Sequence, residues 1–276
     1  MLNKKLQYVP VLSSEAGLCL TPTNWEEVNT TVVTYYLDNL LIKPGFEFLR
    51  QIPDLKSYLN WSGELILNAT RLKANKEGLF SLTSPFDGSK TKYSMLQLLE
   101  IINGLKVDKV LLPANIIKED GIFWNHFNTH SMPFFSVDDF FAPDSNKSYG
   151  VYAQLYDLNE NSSSLQKIEK WAHVPRYLIG DFDPEQMRNF SSFDYLESDT
   201  PANKAIKGIV YGIKGEIDLT DEAMQLQFET IISDCGCPTC SQKFTKAYLH
   251  HLYLHTPLLC HRLLIQHNVY QAQICQ

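Results

Sequence analysis

Three thiols fall within six residues near the C-terminal end of the chain, in the run Cys235-Gly236-Cys237-Pro238-Thr239-Cys240. Neighbouring thiols compete for one disulfide partner, so a disulfide framework is a poor use of them. Convergence on a tetrahedral metal that takes four soft ligands suits them better. A turn through Gly236 and Pro238 aims the sulfurs inward, and an imidazole from farther along completes the set. The expected cofactor is a structural zinc held by three cysteines and one histidine. Histidines at 250, 251, 255, 261 and 267 are all conceivable fourth ligands. Most helical histidines end up solvated or packed. His267 differs because it closes a second expected helix, 258–266, which returns antiparallel to the first.

The elements that must position such a site alternate along the chain. Short apolar runs at 32–36, 65–67, 110–112, 150–153 and 177–179 read as buried strands. Between them, the stretch from Thr23 to Glu27 reads as a capped helix start, and 94–105 carries apolar residues at helical spacing. Strands that alternate with helices predict an α/β fold with a parallel sheet. Periodicity leaves open a reduced (β/α)8 barrel or a doubly wound sheet. The stretch 134–149, rich in Phe, Asp, Ser and Pro, reads as a loop, and 159–164 as a polar turn. Neither is long enough for a linker. We therefore expect one domain over 1–276, with a zinc-binding C-terminal subdomain at 231–276 inside it.

Composition narrows the function classes. At 276 residues and 44% hydrophobic, the chain can bury a sizeable core. A net charge of -7 gives no global attraction for nucleic acid, so binding of that kind must rest on particular residues. Apolar runs stay short of a membrane span, and the N-terminal MLNKKLQYVP lacks the apolar core of a secretion signal. Clustering of three of the six cysteines argues against a secreted scaffold and for a reducing cytoplasm.

The cysteine run, then AYLHHL at 247–252, then His267-Asn268 resembles the tRNA-guanine transglycosylase family, the queuine tRNA-ribosyltransferases. The resemblance extends upstream through 21–28, Lys43-Pro44-Gly45, Trp61-x-Gly63, the hairpin from Glu77-Gly78 to Asp87-Gly88, the strand 175–180 and the pair Phe193-Asp194. It implies a (β/α)8 barrel with a zinc subdomain, and zinc on Cys235, Cys237, Cys240 and His267. It also implies exchange of a guanine in tRNA for a 7-deazaguanine-type base, through a covalent ribosyl-aspartate. The family's nucleophile maps to Asp194.

Other positions depart from the family pattern. Leu67-Asn68-Ala69-Thr70 stands where the family has an aspartate that moves protons, and an asparagine is no proton acceptor near neutral pH. A second family aspartate falls near Ala114, and Gln154 takes the place of a base-reading glutamine. A glycine-rich segment before Pro175 is absent. Where the family carries arginines for the anticodon loop, Lys204 and Lys207 offer point charges to phosphate instead. The resemblance thus yields two expectations: a divergent transferase, or a non-catalytic barrel that partners a catalytic family member. Both imply a homodimer or heterodimer that works on tRNA or a related nucleic acid and no membrane.

Overall fold

The structure, a computed structural model, describes residues 6–116, 120–127, 130–139, 147–155 and 162–275. After β1 (Gln7–Val9) and α1 (Pro22–Glu26) comes β2 (Val32–Tyr36), then α2 (Leu37–Leu40), α3 (Phe46–Leu49), α4 (Leu55–Leu59) and β3 (Glu64–Asn68). A hairpin of β4 (Phe80–Thr83) and β5 (Lys90–Tyr93) precedes α5 (Met95–Leu105) and β6 (Lys109–Leu111). There follow α6 (Asp120–His126), β7 (Met132–Ser136), β8 (Gly150–Leu155), α7 (Ser162–Glu169) and β9 (Arg176–Gly180). The remainder is α8 (Pro184–Met187), β10 (Tyr195–Glu197), α9 (Thr200–Ile206), the hairpin β11 (Ile209–Gly212) and β12 (Gly215–Asp218), α10 (Pro238–Ser241), α11 (Lys246–His255) and α12 (Pro257–Ile274).

Eight strands share one sheet in the order β1-β10-β9-β8-β7-β6-β3-β2. Placing the first strand beside the last is the order of a (β/α)8 barrel, so the barrel is favoured over the doubly wound alternative. Contacts divide the chain into two compact units. One comprises Met1–Thr31, Gly180–Ser192 and Leu196–Gln276; the other comprises Val32–Ile179 and Phe193–Tyr195.

In the second unit β2, β3, β6, β7 and β8 pair in parallel, with Val33 opposite Leu65, Leu67 opposite Val110 and Phe134 opposite Gly150. Their Val, Ile and Leu runs are buried, as strands covered on both faces require. Alternation sends Phe134, Tyr177 and Tyr195 to one side, where ring centroids lie 5.7 to 6.2 Å apart. Lys109 lies 5.1 Å from the centre of the Tyr195 ring and pairs with Glu64 at 2.7 Å. Helix α5 buries Leu98, Leu99, Ile101, Ile102 and Leu105, and Ser94 and Gln97 cap it reciprocally.

Helix α1 begins earlier than the sequence suggests. Thr21, not Thr23, is its N-cap, because the Asn24 side chain reaches back to the Thr21 N–H and Pro22 fits the first turn. The expected loop at 134–149 begins as strand β7, where Met132-Pro133-Phe134-Phe135-Ser136 pairs with β6. Pro133 and the polar residues around the run mask its periodicity. Positions 140–146 and 159–161 lie outside the described residues, and α7 already begins at Ser162, within the expected turn.

A Cβ at Gly150 would sit 2.4 Å from the fully buried Phe134 ring. We expect Gly150→Ala to cost about 1–3 kcal/mol in urea unfolding, through overpacking. Phe134→Leu in the same chain should recover part of that loss.

Candidate functional site

In the first unit, the backbone turn at 235–240 is held by its own sulfurs. The Cys237 N–H donates to Cys235 Sγ at 3.4 Å, and the Cys240 N–H to Cys237 Sγ at 3.3 Å. Pro238 opens α10, which carries Cys240 back towards α12. His267 Nδ1 then lies 3.8 Å from Cys235 Sγ and 3.4 Å from each of Cys237 Sγ and Cys240 Sγ. All four ligand atoms fall within 4.8 Å of one another, and all four residues are buried. A tetrahedral zinc with ordinary Zn–S and Zn–N lengths needs sulfur–nitrogen edges of about 3.6 Å. The observed separations bracket that value, so this donor set fits a soft divalent cation.

The outer contacts fix the imidazole. His267 Nε2 lies 2.8 Å from the Tyr211 carbonyl on β11, so it carries the proton and leaves the Nδ1 lone pair towards the sulfurs. Gln271 Nε2 donates to Cys235 Sγ at 3.2 Å. Without a cation, the three sulfurs and the ring share protons unequally. Hydrogen bonds from Cys237 and Cys240 hold the Cys235 thiol far below its usual range, whereas Cys237 is driven far upward. Burial disfavours charge on His267, yet Cys235 and Cys240 outweigh it and push the imidazole up to about 9.

The other histidines go elsewhere. His250 Nδ1 lies 2.8 Å from the Leu219 carbonyl, the rings of His251 and His255 approach to 4.5 Å, and His261 lies beside Tyr253. His267 does not end its helix, as the sequence suggests, but sits within the 18-residue α12. Its neighbour Asn268 explains why the helix continues. Asn268 Nδ2 donates to the carbonyls of Pro201 and Ile209, and its Oδ1 accepts from the Tyr211 N–H. The side chain thus serves other segments instead of competing for its own backbone.

The remaining expected site residues are scattered in role. Asn68 is the last residue of β3 and fully buried; its Oδ1 accepts from the Thr70 N–H and hydroxyl at 3.0 and 2.8 Å. Gln154 is half-buried near the carboxyl end of β8. Asp194 lies one residue before β10, at that strand's amino end, and not at the carboxyl end where barrel chemistry takes place. Its Oδ2 accepts from the Arg176 N–H at 2.7 Å. Lys207 is exposed. Lys204 is committed within its unit: its ammonium meets Asp183 at 2.6 Å, ion-pairs with Glu216 and lies over the Tyr211 ring. Burial lowers its pKa less than these two carboxylates raise it. The Tyr211 hydroxyl donates to the same Asp183 oxygen, and burial and that carboxylate hold its ionisation far above the usual range. Lys204 is therefore a structural cation, a role that its loop-like sequence context concealed.

Asn268→Ala should strand three backbone groups, one buried and two half-buried. We expect a loss of at least about 2 kcal/mol in denaturant unfolding, which Asn268→Asp should only partly restore because it keeps the acceptor and loses the donors.

Comparison with known proteins finds relatives of this chain. A family model described as Queuine tRNA-ribosyltransferase matches residues 152–274. Curated relatives of that name match nearly end to end. The protein from Dictyoglomus turgidum is 25% identical over 314 residues, covering 95% of this chain and 79% of its own length. Those from Thermoanaerobacter sp. and Dehalococcoides mccartyi are 24% and 23% identical, each over 95% of this chain and over 82% and 78% of their own. The cysteines and histidine are brought together as that resemblance requires, and over nearly its whole length the chain is similar to queuine tRNA-ribosyltransferases.

Proposed function

We propose that the protein is a tRNA-guanine transglycosylase-type pentosyltransferase, which exchanges a guanine-type base in tRNA or a related nucleic acid. The observation that carries this reading is the end-to-end match to relatives named for that reaction, on a chain that also assembles the Cys3His cluster. The chemistry follows retaining glycoside logic. A carboxylate attacks the ribose C1′ as the glycosidic bond breaks, and the bonding pair leaves with guanine, which takes up a proton. The incoming 7-deazaguanine-type or guanine base, having given up its proton, then attacks C1′ and returns the electron pair to the carboxylate. Asn68 and Gln154 occupy strand ends suited to base contacts, and Lys207 is an exposed cation for phosphate.

Cys235, Cys237, Cys240 and His267 are the ligands we assign to a structural zinc. A closed four-ligand site leaves no open position for substrate, so the metal's contribution is to folding. All six cysteines are free thiols, in keeping with a reducing, cytoplasmic setting. Among the described residues no helix is long and apolar enough to cross a membrane.

A second reading, a non-catalytic barrel that pairs with a catalytic family member, draws support from two features. Asn68 cannot accept a proton, and Lys204 is held by Asp183 and Glu216 instead of standing ready for phosphate.

Purified protein should incorporate labelled guanine into bulk tRNA. Absence of exchange by the protein alone, with restoration or stimulation only when a catalytic family member is added, selects the accessory reading. Elemental analysis should find about one zinc per chain, lost on Cys237→Ala, and a folded wild-type protein free of metal would refute the assignment. Because His267 and Cys237 both hold protons above neutral pH in the metal-free site, zinc binding at pH 7 should release protons. Calorimetry in buffers of different ionisation enthalpy measures that release, and zinc affinity should fall as pH falls.

A further inference from the structure

The long connection from β3 to α5 leaves the sheet at the carboxyl end of β3, the end from which (β/α)8 enzymes do their chemistry. Its residues 71–92 hold five cations, Arg71, Lys73, Lys76, Lys90 and Lys92, against two carboxylates, Glu77 and Asp87. That stretch carries a net charge of +3, whereas the rest of the chain carries -10, since the whole is -7. Local charge of the opposite sign to the whole is the footprint of an anionic partner.

The β4–β5 hairpin sorts these charges by face. Phe80 pairs with Tyr93, both are buried, and Tyr93 stacks on Phe46 of α3 at 5.4 Å, so that side packs against its own unit. Alternation turns Ser81, Thr83, Lys90 and Lys92 to the opposite side, and all four are exposed. Lys90 and Lys92 repeat at about 6.8 Å along β5, beside the hydroxyl groups of Thr83 and Ser81 on β4. Lys73 and Lys76 are exposed on either side of Ala74, which bridges Phe80 at the other edge of β4. Among the described residues these four lysines form no ion pair, unlike Lys56, Lys109 and Lys246. The acidic residues lie in the turns. Glu77 sits in the turn that the Asn75 side chain closes, and the Ser89 N–H and hydroxyl donate to Asp87 Oδ1 at 3.1 and 2.8 Å. At the tip Phe86 is 74% exposed, with the Lys43 ammonium 5.5 Å from its ring centre. Exposed rings beside cations suit single-stranded nucleic acid, whose bases stack on the ring while its phosphates meet the charges. All of these residues belong to the second unit.

We propose that the outer face of the β4–β5 hairpin is an RNA-docking surface, on which Lys73, Lys90 and Lys92 hold phosphates and Phe86 stacks an unpaired base. The inference rests on the tRNA reading above and deepens it. It supplies a positive surface to a chain of net charge -7, whose Lys204 is already paired with Asp183 and Glu216. Phosphate contacts of this kind position an RNA without reading its sequence.

The test measures binding of bulk tRNA to the intact protein by fluorescence anisotropy, between about 50 and 200 mM salt. Lys73→Gln/Lys90→Gln/Lys92→Gln should bind at least about tenfold more weakly, and the slope of log affinity against log salt should flatten by about two to three. Lys170→Gln/Lys214→Gln, which removes two exposed lysines elsewhere, should stay within about threefold with its slope unchanged. Phe86→Ala should bind an unpaired RNA oligomer about fivefold or more weakly at unchanged slope, and undiminished binding there strikes Phe86 from the surface. All three variants should melt like wild type, because the replaced side chains are exposed. Wild-type affinity and slope in the triple variant overturn the inference, as does an equal loss in the control pair or a wild-type protein that binds no tRNA at the lowest salt. Equal binding to phosphatidylserine vesicles at matched phosphate, lost in the same triple variant, overturns it in favour of a membrane surface. Guanine exchange is measured in parallel. If binding through this face persists while no base is exchanged, alone or with a catalytic family member, the exchange reading falls and the docking surface stands. Exchange that the triple variant carries out at wild-type kcat/KM removes the docking surface alone.

Discussion

The imidazole of His267 has two nitrogens and spends each on a different part of its unit. Nδ1 faces three sulfurs from a six-residue turn, and Nε2 bonds the Tyr211 carbonyl on β11. One side chain thereby ties the cysteine knuckle to the hairpin that follows α9. Asn268, one position on, bonds β11 and the start of α9 from the same helix. The position of α12 relative to everything after β10 depends on these adjacent residues. The arrangement explains why this imidazole is placed mid-helix: a rigid rod transmits the constraint in both directions, whereas a residue at a frayed end would not.

A cluster of this kind is costly when it is empty of charge balance. Three sulfurs within contact distance cannot all ionise, and burial disfavours every charged form. Among themselves these groups share protons unequally, with the Cys235 thiol held low by its neighbours and the His267 imidazole pushed up. A divalent cation removes the conflict by replacing the protons. Three thiolates still leave a negative excess, which the Gln271 amide and the backbone N–H groups of Cys237 and Cys240 help to solvate. By contrast, Cys260 sits alone in the core, and burial simply pushes its thiol up to about 12. Burial alone raises a thiol's pKa; convergence makes neighbouring sulfurs share protons unequally.

Much of this was legible in the residues. Spacing identified the cysteine knuckle, and uninterrupted apolar runs identified β2, β3, β6, β8 and β9, because strands buried on both faces leave little room for polar residues. Strand β7 was not legible, since Pro133 can pair in a parallel ladder only where its missing N–H is not needed, and that depends on the neighbouring strand. The fourth ligand was ambiguous for a similar reason. All five histidines lie on helical stretches, and only three-dimensional packing shows that His250 answers to Leu219 while His267 faces the sulfurs. Lys204 looked like a loop cation because Asp183 and Glu216 are distant in sequence and adjacent in space.

The same distinction between motif and position bears on the chemistry. A Phe-Asp pair is a short match, and two residues cannot fix the register of a strand by themselves. The backbone can. In a parallel barrel every strand has an end that faces the loops with freedom to vary, and an end where turns are short and residues hold the sheet together. Asp194, whose N–H donates to the Arg176 carbonyl and whose Oδ2 accepts from the Arg176 N–H, has the bonding pattern of the second kind. Side-chain donors can be retuned by substitution without breaking the sheet, whereas backbone donors cannot.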